Sequence, residues 1–211
     1  MDYVLYGDRR SGSAAVELAL AEIGAEVELR TTSLDEDVQR SDAYRAINAQ
    51  RKLPTLVTPE GELLTESAAI LIVLDERHPE ATLLPSGGAE RAQALRWLLF
   101  IATELYPLIE IIDYPERFLP TRPTPGSDAR DALRQRIRDT WRDRLLRLEA
   151  AASAPWFLGE TFTMTDLYLA VVSQWAQVDA WRREHAPRLT AIAARVAERA
   201  GCRPVWRRHF G

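Results

Sequence analysis

Between Tyr3 and Arg77 the hydrophobic period switches repeatedly, and that order of switches admits few folds. Tyr3-Val4-Leu5-Tyr6 is a short β-prone run closed by the turn residues Gly7-Asp8. From Gly12 to Ile23 the apolar residues Ala15, Val16, Leu18, Ala19, Leu20 and Ile23 recur at helical spacing. Ser11 or Ser13 is the candidate cap and Gly24 the stop. Val27–Thr31 alternates as a second strand, and Ser41–Asn48 reads as a short helix capped by Ser41. Lys52–Thr58 is a strand entered through Pro54, where a missing N–H does least harm. Pro59-Glu60-Gly61-Glu62 is a hairpin turn returning through Leu63-Leu64, and Thr65 is placed to cap a helix over Glu66–Arg77. The order is βαβαββα. A helical crossover makes the first two strands parallel, and the hairpin makes the last two antiparallel.

Residues 78–89 hold two prolines, two glycines and a serine, and read as a linker. Beyond them the periodicity is helical. Ala89–Tyr114 is a long helix in which Pro107 predicts a kink or break. Pro115–Ser127, with four prolines, reads as a loop. Asp128–Ala152 alternates Arg and Asp around Leu133, Ile137, Trp141, Leu145 and Leu148, an amphipathic helix with one solvated face. Thr165–Trp181 and Pro187–Ala200 supply two more, with Trp175 and Trp181 assigned to the core. The fold class expected is α/β followed by all-α: a thioredoxin-like βαβαββα domain over 1–79, a linker over 80–88, and a helical bundle domain over 89–211.

With 46% hydrophobic residues in 211, the chain can bury a sizeable core. Its net charge of −4 and lack of a basic block give no sign of general nucleic-acid affinity, and no nucleic-acid partner is expected. No stretch of about 18 apolar residues predicts a membrane span, and no cationic start with an apolar run predicts a signal peptide. The single cysteine, Cys202, excludes an intrachain disulfide and a cysteine-based zinc site, and makes a cytoplasmic setting the expectation. His78, His185 and His209 are scattered and suggest neither a metal site nor a catalytic triad.

Four stretches, in this order and spacing, resemble the cytosolic glutathione transferases. Leu5-Tyr6-Gly7-Asp8-Arg9-Arg10-Ser11-Gly12 resembles the first strand and turn of bacterial members. Asn48-Ala49-Gln50-Arg51-Lys52-Leu53-Pro54 resembles the pattern Asn-Pro-x-Gly-Lys-Val-Pro, with Ala49 in place of proline and Arg51 in place of glycine. Leu64–Ile70 resembles the family's Glu-Ser helix start, and Thr163-Met164-Thr165-Asp166 its C-terminal capping box. The resemblance implies glutathione as co-substrate, a small hydrophobic electrophile as second substrate, a role in detoxification and a homodimer. It implies a cis bond before Pro54, with the backbone of Leu53 pairing to glutathione as an added strand. It places the γ-glutamyl carboxylate on Ser67 at a helix N-terminus, where the dipole favours an anion. Glu66 would face the γ-glutamyl amine and Lys52 the glycyl carboxylate. The Thr163–Asp166 box is assigned to folding, with one orphan amide satisfied by each partner.

Such a site must ionise a thiol. A free thiol of pKa about 8.5 is only about 3% thiolate at pH 7. One well-placed O–H donor and a favourable field are of the right size to change that. Ser11 in the turn, beside Arg9 and Arg10, is the first candidate. Tyr6 at the end of the first strand is its rival and Ser13 the third. No cysteine lies in this turn, which argues against mixed-disulfide chemistry there. Tyr106, Ile109 and Tyr114 are candidates to line an electrophile pocket between the domains, with Trp206 or Phe210 to close it. Glutathione S-transferase is the leading function. The alternatives are a glutathione-dependent isomerase of the maleylacetoacetate type, whose Ser-Ser-Cys motif is missing, and a non-catalytic binding module of the same fold.

Overall fold

The computed structural model describes residues 2–120, 128–176 and 179–211. In the first part of the chain β1 (Tyr3–Gly7), α1 (Ser13–Ile23), β2 (Val27–Thr31), α2 (Asp42–Ile47), β3 (Thr55–Val57), β4 (Leu63–Thr65) and α3 (Ser67–Arg77) follow in the expected order. The sheet order is β2-β1-β3-β4. β1 runs parallel to β2 and antiparallel to β3, and β3 runs antiparallel to β4. Tyr3 and Leu5 are buried while Val4 and Tyr6 are half-buried, as the strand period of two requires. The buried face of β1 packs with Val16 and Leu20 of α1, Leu56 of β3, and Ile70 and Leu74 of α3, all at 0% exposure. Fully burying each such side chain stabilises by roughly 1.5–3 kcal/mol.

Local chemistry sets the helix ends, and twice it departs from the sequence reading. α1 stops at Gly24, whose φ of 76° is the left-handed conformation glycine adopts without penalty. Ser41 caps α2 by accepting from Tyr44 N. At α1, however, Gly12 takes the cap position, while Ser11 Oγ, one residue earlier, accepts from the first helical amide, Ser13 N, at 3.2 Å. Thr65 does not cap α3. It is paired with Thr55 in the β3–β4 ladder, and Glu66 takes the cap position instead at φ 65°. The segment after α3 is anchored: Leu83 and Leu84 are buried, and the Asp75 carboxylate accepts from Leu84 N at 2.8 Å and from Arg91 at 2.9 Å.

α4 (Gly88–Phe100) passes through a π-helical turn, Ile101–Leu105, into α5 (Tyr106–Asp113). Pro107 explains the position of this turn. It has no N–H to return to the preceding turn of helix, so the hydrogen-bond ladder slips to the wider π spacing just before it. α6 (Ala129–Ala151) buries Trp141, Leu145 and Leu148, and most of the expected proline-rich loop lies outside the described residues. α7 (Met164–Val172) is buried along its whole length. The expected continuous helix over Thr165–Trp181 is instead α7 and a separate α8 (Asp179–His185). Arg182 of α8 donates to Ser173 O at 3.1 Å and to the Gln174 side chain, so α8 folds back to cap the end of α7. α9 (Pro187–Glu198) and α10 (Cys202–Phe210) complete the chain.

Met1–Arg91 with Ala194–Gly211 form one compact unit, and Ala92–Ala193 another. The first is a thioredoxin-like βαβαββα unit and the second is all-helical. Trp175 and Trp181 are half-buried rather than core residues. Trp175 meets Tyr106 edge-on, and Trp181 stacks flat on His185. The fully buried tryptophan is Trp141. Among the described residues no helix is long and apolar enough to cross a membrane.

Candidate glutathione site

Sheet topology assembles the candidate site. Tyr6 is in register with Thr55, and Thr55 with Thr65. The outgoing end of β1, the incoming end of β3 and the outgoing end of β4 therefore lie in one row. The next residues outward are the turn after Gly7, the Leu53–Pro54 bond and the Glu66–Ser67 helix start. Two strand spacings separate the outer members of that row, roughly 10 Å. An extended tripeptide spans about the same distance.

The Leu53–Pro54 bond is cis. A second cis bond, Ala154–Pro155, lies in the helical unit and carries no sequence signal comparable to that before Pro54. The loop before Pro54 is pinned from inside by two side chains whose role the sequence did not reveal. Tyr44 OH and Asn48 Nδ2 both donate to Lys52 O at 2.9 Å. Each also bonds Thr55 Oγ1, at 2.8 and 3.0 Å, and Asn48 Oδ1 accepts from Gln50 N. Arg51 has a φ of 56°, the conformation that glycine holds most cheaply. The arginine at this position thus holds a backbone conformation that glycine adopts more readily. Lys52 is exposed, and Leu53 and Pro54 are buried.

Ser67 is the first residue of α3 and is 6% exposed, while Glu66 beside it is exposed. The eleven residues of α3 present the positive end of the helix at this point. Three non-glycine residues of the region, Arg10, Arg51 and Glu66, lie at positive φ. Such strain persists only where the surrounding structure over-determines it, and it gathers at functional sites.

The turn between β1 and α1 is organised by Asp8. Its carboxylate accepts from Arg9 N and from Leu34 N, each at 2.7 Å. Its backbone N–H donates to Ser11 Oγ at 3.3 Å and Ser13 Oγ at 3.2 Å. Its carbonyl faces the same two hydroxyls at 2.9 and 3.2 Å, and the hydroxyls lie 2.8 Å from each other. One hydroxyl proton goes to the Asp8 carbonyl and the other to the neighbouring serine, so the pair satisfies itself. Ser11 is 8% exposed and Ser13 1%. Tyr6 is half-buried. Its phenol accepts from Arg30 at 3.0 Å, and its ring meets Tyr44 edge-on. Among the described residues its own proton has no acceptor.

Gly7 must remain glycine for this packing. A Cβ there would overlap the Cβ and Oγ of Ser13. Gly7→Ala is expected to cost about 1–3 kcal/mol, the usual range for overpacking, read by urea unfolding.

The turn also receives a contact from far along the sequence. His209 of α10, 4% exposed, accepts at Nδ1 from Arg10 N at 3.1 Å. Its Nε2 lies 2.8 Å from Glu17 Oε2 on α1, and Arg208 pairs with the same carboxylate. Burial, with Arg208 and Arg9 nearby and Asp8 opposing, pushes the imidazole pKa down to about 4. The hydrogen bonds agree with that direction, because Nδ1 must be unprotonated to accept. Cys202, on the same helix, is buried and donates to Glu22. Burial and the Glu22 charge push its thiol far above the ordinary range, so it is not a nucleophile. Tyr106, Ile109 and Tyr114 occupy half-buried positions on and just after α5, whereas Leu108 and Ile112 face its core.

Comparison with known proteins agrees with this geometry. Residues 5–82 match the glutathione S-transferase N-terminal domain family. The chain is 31% identical over 193 residues to the glutathione S-transferase GstA of Escherichia coli O157:H7, covering 89% of each. It is 38% identical over 108 residues to a maleylacetoacetate isomerase of Dictyostelium discoideum, covering 50% of this chain and 49% of that one. A solved glutathione transferase homologue from Sulfitobacter, with bound glutathione, superposes with a TM-score of 0.87 at 22% identity, over 97% of this chain and 96% of that one. The chain belongs to the glutathione S-transferase family.

Proposed function

We propose that this chain is a glutathione S-transferase that seats glutathione across the row formed by the β1 turn, Leu53–Pro54 and Glu66–Ser67. The observation that carries the reading is the convergence of those three features at one end of the sheet. The backbone of Leu53 pairs with the cysteinyl residue, and the Ser67 hydroxyl and the start of α3 hold the γ-glutamyl carboxylate. Glu66 faces the γ-glutamyl amine, and Lys52 reaches the glycyl carboxylate. The second substrate is a small hydrophobic electrophile, with Tyr106, Ile109 and Tyr114 the residues offered to it. A cytoplasmic homodimer belongs to the same proposal, and sedimentation tests the dimer.

Two hydroxyls compete for the sulfur, and the hydrogen bonds favour Tyr6. Ser11, first in order from the sequence, gives its proton within the turn and is 8% exposed. Tyr6 accepts from the Arg30 cation, which polarises its O–H as a donor. The test is the thiol titration of bound glutathione. Tyr6→Phe is expected to raise the thiol pKa by about one unit, or ~1.4 kcal/mol, and Ser11→Ala by less. If neither variant moves it, this mechanism is wrong.

The isomerase reading keeps one observation in its favour, the likeness to a maleylacetoacetate isomerase over half the chain. Glutathione-dependent isomerisation of maleylacetoacetate, without conjugation of an aryl halide, would replace the transferase reading. Glutathione binding with neither activity would leave a non-catalytic member of the family.

A further inference from the structure

Within the unit formed by residues 1–91 and 194–211, one part-buried polar contact joins residues nearly two hundred positions apart at the turn proposed to face the thiol. The Arg10 amide is that contact point. Arg10 has a φ of 59°, and it is the residue through which the chain bends back into Ser11, Gly12 and α1. Arg10 itself is exposed, but its amide points inward onto a buried acceptor, which fixes the place of the bend. The partner is His209 Nδ1.

The imidazole is itself held. Its Nε2 faces the Glu17 carboxylate, Glu17 is 5% exposed, and Arg208 pairs with the same carboxylate. Glu17 therefore fixes the tautomer with the proton on Nε2 and the lone pair on Nδ1. The charged groups facing the ring are Glu17 from α1, Arg208 from α10, and Asp8 and Arg9 from the turn. Together they bound a small cleft beneath the turn. Helix α10 packs along α1, which keeps this set in place.

We infer that His209 is a positioning residue for the thiol site: through Arg10 N–H it holds the β1–α1 turn in the one conformation that sets Asp8 and Ser11 beside Tyr6, which the sheet itself fixes. It touches neither substrate. The inference rests on the reading that this turn flanks the glutathione sulfur. The γ-glutamyl and backbone contacts come from β3 and α3, so His209 should govern the thiol step and not the affinity for glutathione.

Two substitutions separate the two ring nitrogens. In His209→Asn the amide oxygen lies near the position of Nδ1, so the acceptor for Arg10 is kept and the bond to Glu17 is lost. In His209→Gln the amide nitrogen reaches toward Glu17, and the acceptor for Arg10 is lost. With glutathione and an aryl halide, His209→Gln is expected to lower kcat about tenfold with the KM for glutathione within about twofold, the size of one lost hydrogen bond. His209→Asn is expected to stay within about twofold of the unmodified protein in both constants. Melting temperatures of both variants accompany the kinetics. Equal losses in the two variants, or an unchanged kcat in His209→Gln, would overturn the inference.

If the unmodified protein itself turns over no electrophile, the transferase reading fails, and the inference is read from hydrogen exchange at the Arg10 amide. Exchange about tenfold faster in His209→Gln, but not in His209→Asn, supports the contact as the holder of the turn. Equal exchange in both variants refutes it.

Discussion

Replacing Asp166 by alanine is expected to remove about 3–5 kcal/mol of stability, more than any other single change considered for the helical unit. The carboxylate has 0% exposure and is surrounded by donors. Oδ1 accepts from Phe157 N at 2.7 Å. Oδ2 accepts from Thr163 N at 2.8 Å and Thr163 Oγ1 at 3.1 Å, which closes the capping box of α7. Alanine would leave three buried donors without an acceptor, at about 1–3 kcal/mol each. Part of this is offset, because burial pushes the Asp166 pKa up to about 6, so holding the charge already costs energy. The carboxylate also ties the segment carrying Phe157, packed edge-on against Trp97, to the start of α7. The cap is thus a tertiary clasp as well as a helix end. Urea unfolding with an unchanged slope would report the loss, and a loss below about 1 kcal/mol would refute the clasp.

Ser67→Ala is expected to weaken glutathione binding by about 10- to 100-fold while leaving the fold intact. A hydrogen bond to a charged carboxylate is worth about 1.5–3 kcal/mol, and each 1.4 kcal/mol is tenfold in affinity. Alanine is the best helix former, and residue 67 is inside α3 rather than at its cap, so the helix should not suffer. Calorimetric titration with glutathione measures the first effect, and thermal melting the second. Unchanged affinity would remove Ser67 from the site.

Short-range chemistry was legible in the sequence. Period-two and period-3.6 patterns placed β1, β2, α1 and α2 to within a residue or two, because each depends on neighbours along the chain. Leu53–Pro54 and Glu66–Ser67 were legible through family resemblance. Contacts between distant segments were not. Thr65 looks like a cap, but its place in the ladder is decided by Thr55, ten residues away. Tyr44 and Asn48 look like ordinary helix residues, and only the folded loop makes them its internal fasteners. Ser11 looks like the first hydroxyl for the sulfur until Ser13 and the Asp8 backbone are seen to occupy it. His209 carried no local signal at all, since its partners are Arg10 and Glu17.

Recognition of the γ-glutamyl group at the start of α3 is the central feature of the proposed glutathione site. Equilibrium binding of glutathione and of cysteinylglycine, which lacks that group, tests it most directly. Saturable binding of glutathione is expected, with affinity at least about tenfold weaker for cysteinylglycine, the loss of one charge-assisted contact. Equal affinities, or no binding of glutathione, would contradict it.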